Sequence, residues 1–381
     1  TLPWALLGAV GLGCQMLAGH AENTYFVLLV TGAYVAWRLV VQPGGPNQGT
    51  TGWGGRLALW RRPLLWLALM MALGLALGAV QFLPLYEVVN GSFRSGEAAA
   101  SLSQVLGWAF PPRRLITFGI PNFFGGPTQH GYFDLFAWRW VAAPTFPDGQ
   151  YLDWGIKNYV EGAAYLGLLP ILLAGIALLS AGQSQPPPGV CSPAEGSASG
   201  HSMWSRIRSW FCTPYIPFFV LLAGFSVGCV FGTPLYALIY ALPGLEQSHS
   251  PFRWVFPLSL SVAVLAGFGV QAVTESRQHH LRTASGRPAA RHARSSVISS
   301  IANVFFLATS PSLVVWMAAL AFWGGVMTVV GLVLSRLFFS PLEPLLTRIF
   351  LSLAKAPEAF SNVRAFYSYE FRWGALFGLL L

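Results

Sequence analysis

Charge is what this sequence has least of. Asp, Glu, Lys and Arg make up only 9% of its 381 residues, against a hydrophobic share of 54% and a mean hydropathy of +0.56. A water-soluble domain needs far more charge to cover its surface, so the scarcity excludes one and predicts a polytopic membrane protein. Acids are scarcer than bases, 13 against 22, which leaves a net charge of +9. In a membrane chain such an excess reads first as topology, because arginines collect in cytoplasmic loops. No basic nucleic-acid module is recognisable, and nucleic acid is not an expected partner.

Cysteine is equally sparse and unpatterned. Cys14 and Cys229 lie in apolar runs, Cys191 and Cys212 flank a Ser/Gly/Pro-rich stretch, and there is no CxxC. The set Cys191, His201 and Cys212 fits no common zinc spacing, so no metal centre is expected from it. His279, His280 and His292 are interleaved with arginines, which reads as a solvated or phospholipid-facing segment. An initiating Met and a charged, cleavable leader are also missing: Thr1 directly precedes an apolar run, and residues 374–381 end without a polar stop. The expectation is an internal piece of a longer chain.

What is abundant is apolar sequence in long runs. Spans of roughly 20 residues cross the hydrocarbon core, and the candidates are 2–17, 25–41, 63–85, 159–179, 216–242, 255–273, 313–334 and 366–381. Lipid offers no backbone partners, so these are helices. The expected fold is all-α, a transmembrane bundle of about eight spans, with a long external loop region between the third and fourth. In order, the chain reads as spans in 1–85, an external region 86–158, a span in 159–182, a linker 183–214 and two spans in 215–276. A basic linker 277–310, a span in 311–337, an external interfacial segment 338–364 and a truncated span 365–381 follow.

Basic residues orient this arrangement. Arg38, Arg56, Arg61 and Arg62, then Arg206 and Arg208, then Arg277, Arg282, Arg287, Arg291 and Arg294 all fall on one side under that scheme, which makes it cytoplasmic. The Pro/Ser/Gly stretch 183–202 and the Arg/His stretch 277–295 read as linkers. On the other side, 338–360 mixes apolar residues with Glu343, Arg348, Lys355 and Glu358, which suits a helix lying in the interface.

The external region 87–157 is the one long segment rich enough in carboxylates, arginines and aromatic rings to build a site. Pro84 is expected to kink or end the third span and re-aim Glu87. Residues 99–110 form a short amphipathic segment stopped by Pro111 and Pro112, and 120–127 has the composition of an ordered turn. Asp134, Arg139, Asp148 and Asp153 follow among aromatic residues that can stack on sugars or anchor at the interface, although an isolated loop aspartate is usually a turn residue. Glu87 and Glu161 stand where a span meets the loop, a depth at which a carboxylate needs a partner or a task. Arg94 and Arg253 are the natural partners. His20, in the first external turn between Gly19 and Glu22, is similarly placed.

Several strings stand out together: Leu17-Ala18-Gly19-His20; residues 81–87 with Ser92 and Arg94; residues 158–162 with 165–170; Pro251-Phe252-Arg253-Trp254; and 265–269. In order and spacing they resemble the bacterial YfhO-like membrane proteins, which belong with the GT-C type glycosyltransferases. The resemblance implies a multi-pass enzyme of the bacterial cytoplasmic membrane that takes sugar from a polyprenyl-phosphate carrier on the external face. A divalent metal such as Mg or Mn is compatible with such chemistry. Glu87, Arg94, Glu161, Tyr165 and Arg253 fall on recurrent family positions, and with His20 they are the candidate substrate-binding residues. The acid expected to act as base or metal ligand lies in the family's first external loop, which precedes Thr1 in this reading, so no catalytic residue is named. The alternative is a non-enzymatic integral subunit that docks partner proteins in a larger membrane complex. A transporter is disfavoured, because no mid-span charge or matched pair of broken helices is legible.

Overall fold

The structure, a computed structural model, describes residues 1–41, 53–91, 100–127, 131–142, 154–155, 159–180, 215–242, 250–285 and 313–381. By its internal contacts the chain divides into two compact units, Thr1–Phe110 with Ala181–Ser261, and Pro111–Ser180 with Val262–Leu381.

The first unit contains α1 (Leu2–Leu17), α2 (Ala21–Val41), α3 (Trp53–Asn90), α4 (Leu102–Gly107), α7 (Ile216–Val230), α8 (Ala237–Tyr240) and the start of α9 (Val255–Ser285). Helices α1 and α3 run parallel and close. A Cβ on Gly13 would lie 2.7 Å from Leu77, one on Gly74 would lie 2.7 Å from Leu12, and one on Gly78 would lie 2.6 Å from Met16. Between apolar helices in lipid there is no hydrophobic gain from association, so contact of this kind, backbone against side chain, is what holds a pair together. Ser101 opens α4 with a capping box, its side chain accepting from the backbone N–H of Gln104 while Gln104 returns the bond. Phe110 stacks on Phe252 at 5.5 Å and donates its N–H to the Val230 carbonyl at 2.9 Å.

The second unit holds the hairpin β1 (Gly131–Asp134) and β2 (Arg139–Ala142), then α5 (Tyr159–Gly162), α6 (Leu168–Ser180), α10 (Leu313–Leu337), α11 (Phe339–Ser352), α12 (Ala356–Ala359) and α13 (Val363–Leu380). Its core is aromatic. Trp154, fully buried, meets Phe124 at 4.7 Å, Phe123 at 5.4 Å and Phe366 at 5.6 Å. The strands pair antiparallel, Tyr132 opposite Val141 and Phe133 opposite Trp140. Alternation sends Tyr132 into the core and Phe133 with Trp140 to the other face. Burial, and secondarily the neighbouring Asp134 carboxylate, pushes the Tyr132 phenol above its usual range.

The chain is predominantly helical, as expected, but the span count differs. Among the described residues, four helices are long and apolar enough to cross a membrane: Glu22–Val41, Trp60–Val88, Pro251–Glu275 and Val315–Leu337. Ile216–Val230 and Pro234–Tyr240 make a fifth only if counted together, and they are bent by 102°. Gly232, at φ 66°, breaks that run. The expected span at 159–179 is interrupted after α5. There Gly167 turns at φ 87°, and the 13-residue α6 reaches only about 20 Å against a core of about 30 Å. Leu2–Leu17 is likewise a shorter apolar helix. The last expected span, α13, contains Arg364, Glu370 and Arg372, and its first half is buried in the aromatic core.

The loop layout differs too. Residues 86–90 continue α3, whose helix passes through Pro63 and Pro84 to Asn90. Where lipid offers no backbone partner, losing one hydrogen bond costs a helix less than unwinding. Within the expected external region, 100–110 belongs to the first unit and 111–142 to the second, where it packs on α11 to α13. The linker 183–214 lies outside the described residues, as do Cys191, His201, Cys212 and His292, and the side chains of His279 and His280; of the expected basic linker 277–310, residues 277–285 instead continue α9 and 286–310 lie outside the described residues.

Candidate functional site

The site is best defined in the first unit. Glu22 stands in the first turn of α2, and Arg253 in the 3-10 turn Pro251–Trp254 that leads into α9. The two form an ion pair, Arg253 Nη1 donating to Glu22 Oε2, with side chains 29% and 18% exposed. A charge held at that depth needs an opposite partner. Beneath the pair the next residue, Trp254, is buried between Phe26 at 5.3 Å and Phe225 at 5.2 Å. Phe26 is one turn on from Glu22, so both lie on the same face of α2.

That face continues into an apolar groove of about 580 Å³, lined by Leu29, Val30, Ala33, Ala36, Trp37 and Val40 of α2, by Phe218, Leu221, Leu222 and Phe225 of α7, and by Ile239 and Trp254. From Leu29 to Val40, the stretch of α2 that lines it, the helix rises about 17 Å. Arg38, at the far end, donates to the Tyr34 hydroxyl at 3.0 Å and lies 4.8 Å over the Tyr215 ring. The groove is lined wholly by apolar and aromatic side chains, and Arg38 and Arg253 are the chain neighbours of two of them, Trp37 and Trp254. Its volume lies within the range of ligand sites.

A smaller apolar pocket of about 290 Å³ lies beside the α1–α2 turn, between Met16, Thr24, Tyr25, Leu75, Gln81 and Phe82 among others. His20 is at that turn, exposed, with its carbonyl accepting from the Thr24 N–H at 3.2 Å and the Thr24 hydroxyl at 3.3 Å. Glu87 is exposed on the last turn of α3. Arg94 lies outside the described residues. Glu161, in α5, and Tyr165, exposed in the turn after it, belong to the second unit. Of the sequence candidates, then, His20, Glu87 and Arg253 share a unit, and the partner the structure shows for Arg253 is Glu22.

Sequence reasoning missed Glu22 as that partner, although an acid in the first turn of an apolar helix was a visible signal. It also missed Arg114 in the second unit. Arg114 is buried, donates to the Gly162 carbonyl at 3.1 Å and lies 4.7 Å over the Phe124 ring. Nothing in its local sequence, Pro-Pro-Arg-Arg, marks it as buried. Nor was Glu370 singled out: both of its carboxylate oxygens are buried and meet no hydrogen-bond donor among the described residues. Among the described residues no group of three His, Cys, Asp or Glu side chains is placed to hold a metal ion.

Comparison with protein-family models, curated proteins and solved structures gives no match. What the fold defines is a predominantly helical chain in which the four long apolar helices among the described residues fit a multi-pass membrane protein.

Proposed function

We propose that this protein is a membrane glycosyltransferase of the GT-C type, related to the YfhO-like proteins, which takes sugar from a polyprenyl-phosphate donor at the external face of a bacterial cytoplasmic membrane. The observation that carries the reading is the groove of the first unit, apolar along α2 and lined also by Trp254, the chain neighbour of the ion-paired Arg253. A polyprenyl phosphate has that same profile, a long hydrocarbon tail and an anionic head. A guanidinium stays charged and offers paired donors to phosphate oxygens. Glu22 competes with the phosphate for Arg253 and keeps the cation compensated when the groove holds no anion. His20 and Glu87 belong to the same unit and are assigned to acceptor or headgroup contacts.

The test is binding and transfer by purified full-length protein with a panel of polyprenyl-phosphate sugars. Arg253→Ala should weaken donor binding at least tenfold, while Glu22→Gln, which removes the competitor, should tighten it. Unchanged binding in both variants removes the site. Absence of transfer across the panel, together with co-purification of fixed partner proteins, replaces the enzyme by an integral subunit of a larger complex.

A further inference from the structure

A second surface, in the other unit, has exposed aromatic and aliphatic side chains with a common origin at the end of one span. Helix α10 is apolar from Val315 to Leu337, and Arg336 is in its last turn. That guanidinium donates to the Leu135 carbonyl at 2.8 Å and lies 4.2 Å over the Phe136 ring, so it fastens the turn of the β1–β2 hairpin to the end of the span. Asp134 shapes that turn, accepting the N–H groups of Phe136 at 2.8 Å and Ala137 at 3.1 Å. Trp138 closes it at φ 55°, a left-handed conformation that costs a side-chain-bearing residue about 1 kcal/mol.

The conformation turns Trp138 outward. Trp138 and Trp140 are 76% and 71% exposed, and Phe133 packs edge-on to both at 5.3 and 6.4 Å. Helix α11 starts one residue after Phe338, at the same end of the span. It has two apolar stripes. Phe339 and Phe350 face the core, whereas Phe338, Leu345 and Ile349 remain exposed at helical spacing, with Arg348 also exposed among them. An isolated apolar stripe on a soluble helix would be unstable in water; one that leaves the end of a span has the bilayer boundary as its neighbour.

We infer that the hairpin tip and the outer stripe of α11 form one interfacial anchor, with Trp138 and Trp140 in the headgroup layer of the membrane that α10 crosses and Leu345 and Ile349 in the acyl boundary. Indole rings favour that layer because one edge is apolar and the other donates a hydrogen bond. Arg139 and Arg348, both exposed, complement anionic headgroups. The partner is phospholipid, and the inference rests on α10 as a span, not on glycosyl transfer.

The experiment uses full-length protein in vesicles of phosphatidylcholine and phosphatidylglycerol, with brominated acyl chains in one set, and compares the wild type with W138F/W140F. The wild-type minus variant emission isolates the two indoles among the 15 tryptophans. It should be blue-shifted and should lose most of its intensity to bromines placed near the headgroup, less to bromines near the chain ends. Should the double variant fail to fold, W138F and W140F singly each report their own share. Emission untouched by bromolipid but quenched by aqueous acrylamide as freely as a small indole overturns the inference. So does protection of that emission by soluble oligosaccharide without bromolipid quenching, which makes the hairpin a carbohydrate platform.

Discussion

Removing one side of the Arg253–Glu22 pair should cost more than removing both would suggest. Two fully exposed charges would contribute about 0–1 kcal/mol. Here the side chains keep only 29% and 18% of their exposure, and a hydrogen bond to a charged group contributes about 1.5–3 kcal/mol net. Arg253→Met removes the ion-pair partner of the part-buried Glu22, and Glu22→Gln removes that of the guanidinium. Each single change should therefore cost about 2 kcal/mol, the double change about 2.5, and the coupling between them about 1.5. Salt should reduce that coupling only slightly, because partial burial limits screening. The assay is reversible unfolding of the full chain in mixed micelles, followed by tryptophan emission, for all four corners of the cycle. A coupling within about 0.3 kcal/mol of zero would refute the reasoning, and would mean that the pair is a surface contact that adds nothing to stability.

Three further outcomes follow from close contacts and buried charge in the second unit. A Cβ on Gly269 would run into the backbone carbonyl of Leu173, which has no side-chain freedom with which to yield, whereas Gly267 has nothing within 4 Å. Gly269→Ala should thus lower stability by about 1–3 kcal/mol and Gly267→Ala should be neutral or raise it by up to about 1 kcal/mol, as read from paired thermal melts in detergent. Gly162→Ala would occupy the space of the Arg114 guanidinium, displacing a buried charge from its carbonyl and ring partners at a cost of about 3 kcal/mol; equal melting of variant and wild type would show that the arginine has another seat. Glu370→Gln should stabilise the fold at neutral pH by about 1 kcal/mol, because its buried oxygens have no donor. The gain should shrink as pH falls toward the unfolded carboxylate range of about 4, and a pH-independent difference between the two melts would contradict this.

Composition and run length were enough to expect apolar helices at 25–41, 63–85, 255–273 and 313–334, and each overlaps a helix long enough to span. Run length misled where a glycine with positive φ cut an apolar stretch, at Gly167 and Gly232. Hydropathy sums side chains and is blind to the backbone turn between them. It misled again at α13, where aromatic residues that read as lipid-facing are core for the hairpin and α11. An aromatic ring satisfies either environment equally well, so only the neighbours decide.

The candidate site divides in the same way. Arg253 and His20 were legible as ionisable groups at the ends of apolar runs, since charge at that depth demands an explanation whatever the fold. Their partners were not legible. Glu22 and Arg253 are 231 positions apart in the chain, as Gly162 and Arg114 are 48 apart, and nothing in local pattern joins such pairs. The amino-acid sequence by itself determined that this chain is helical and built largely for an apolar surrounding, because helices are the one way to satisfy an unpaired backbone there without a closed barrel. Tertiary structure alone decided which apolar runs form one long helix, which aromatic rings are core, and which acid pairs with Arg253, because those outcomes depend on contacts between residues distant in the chain.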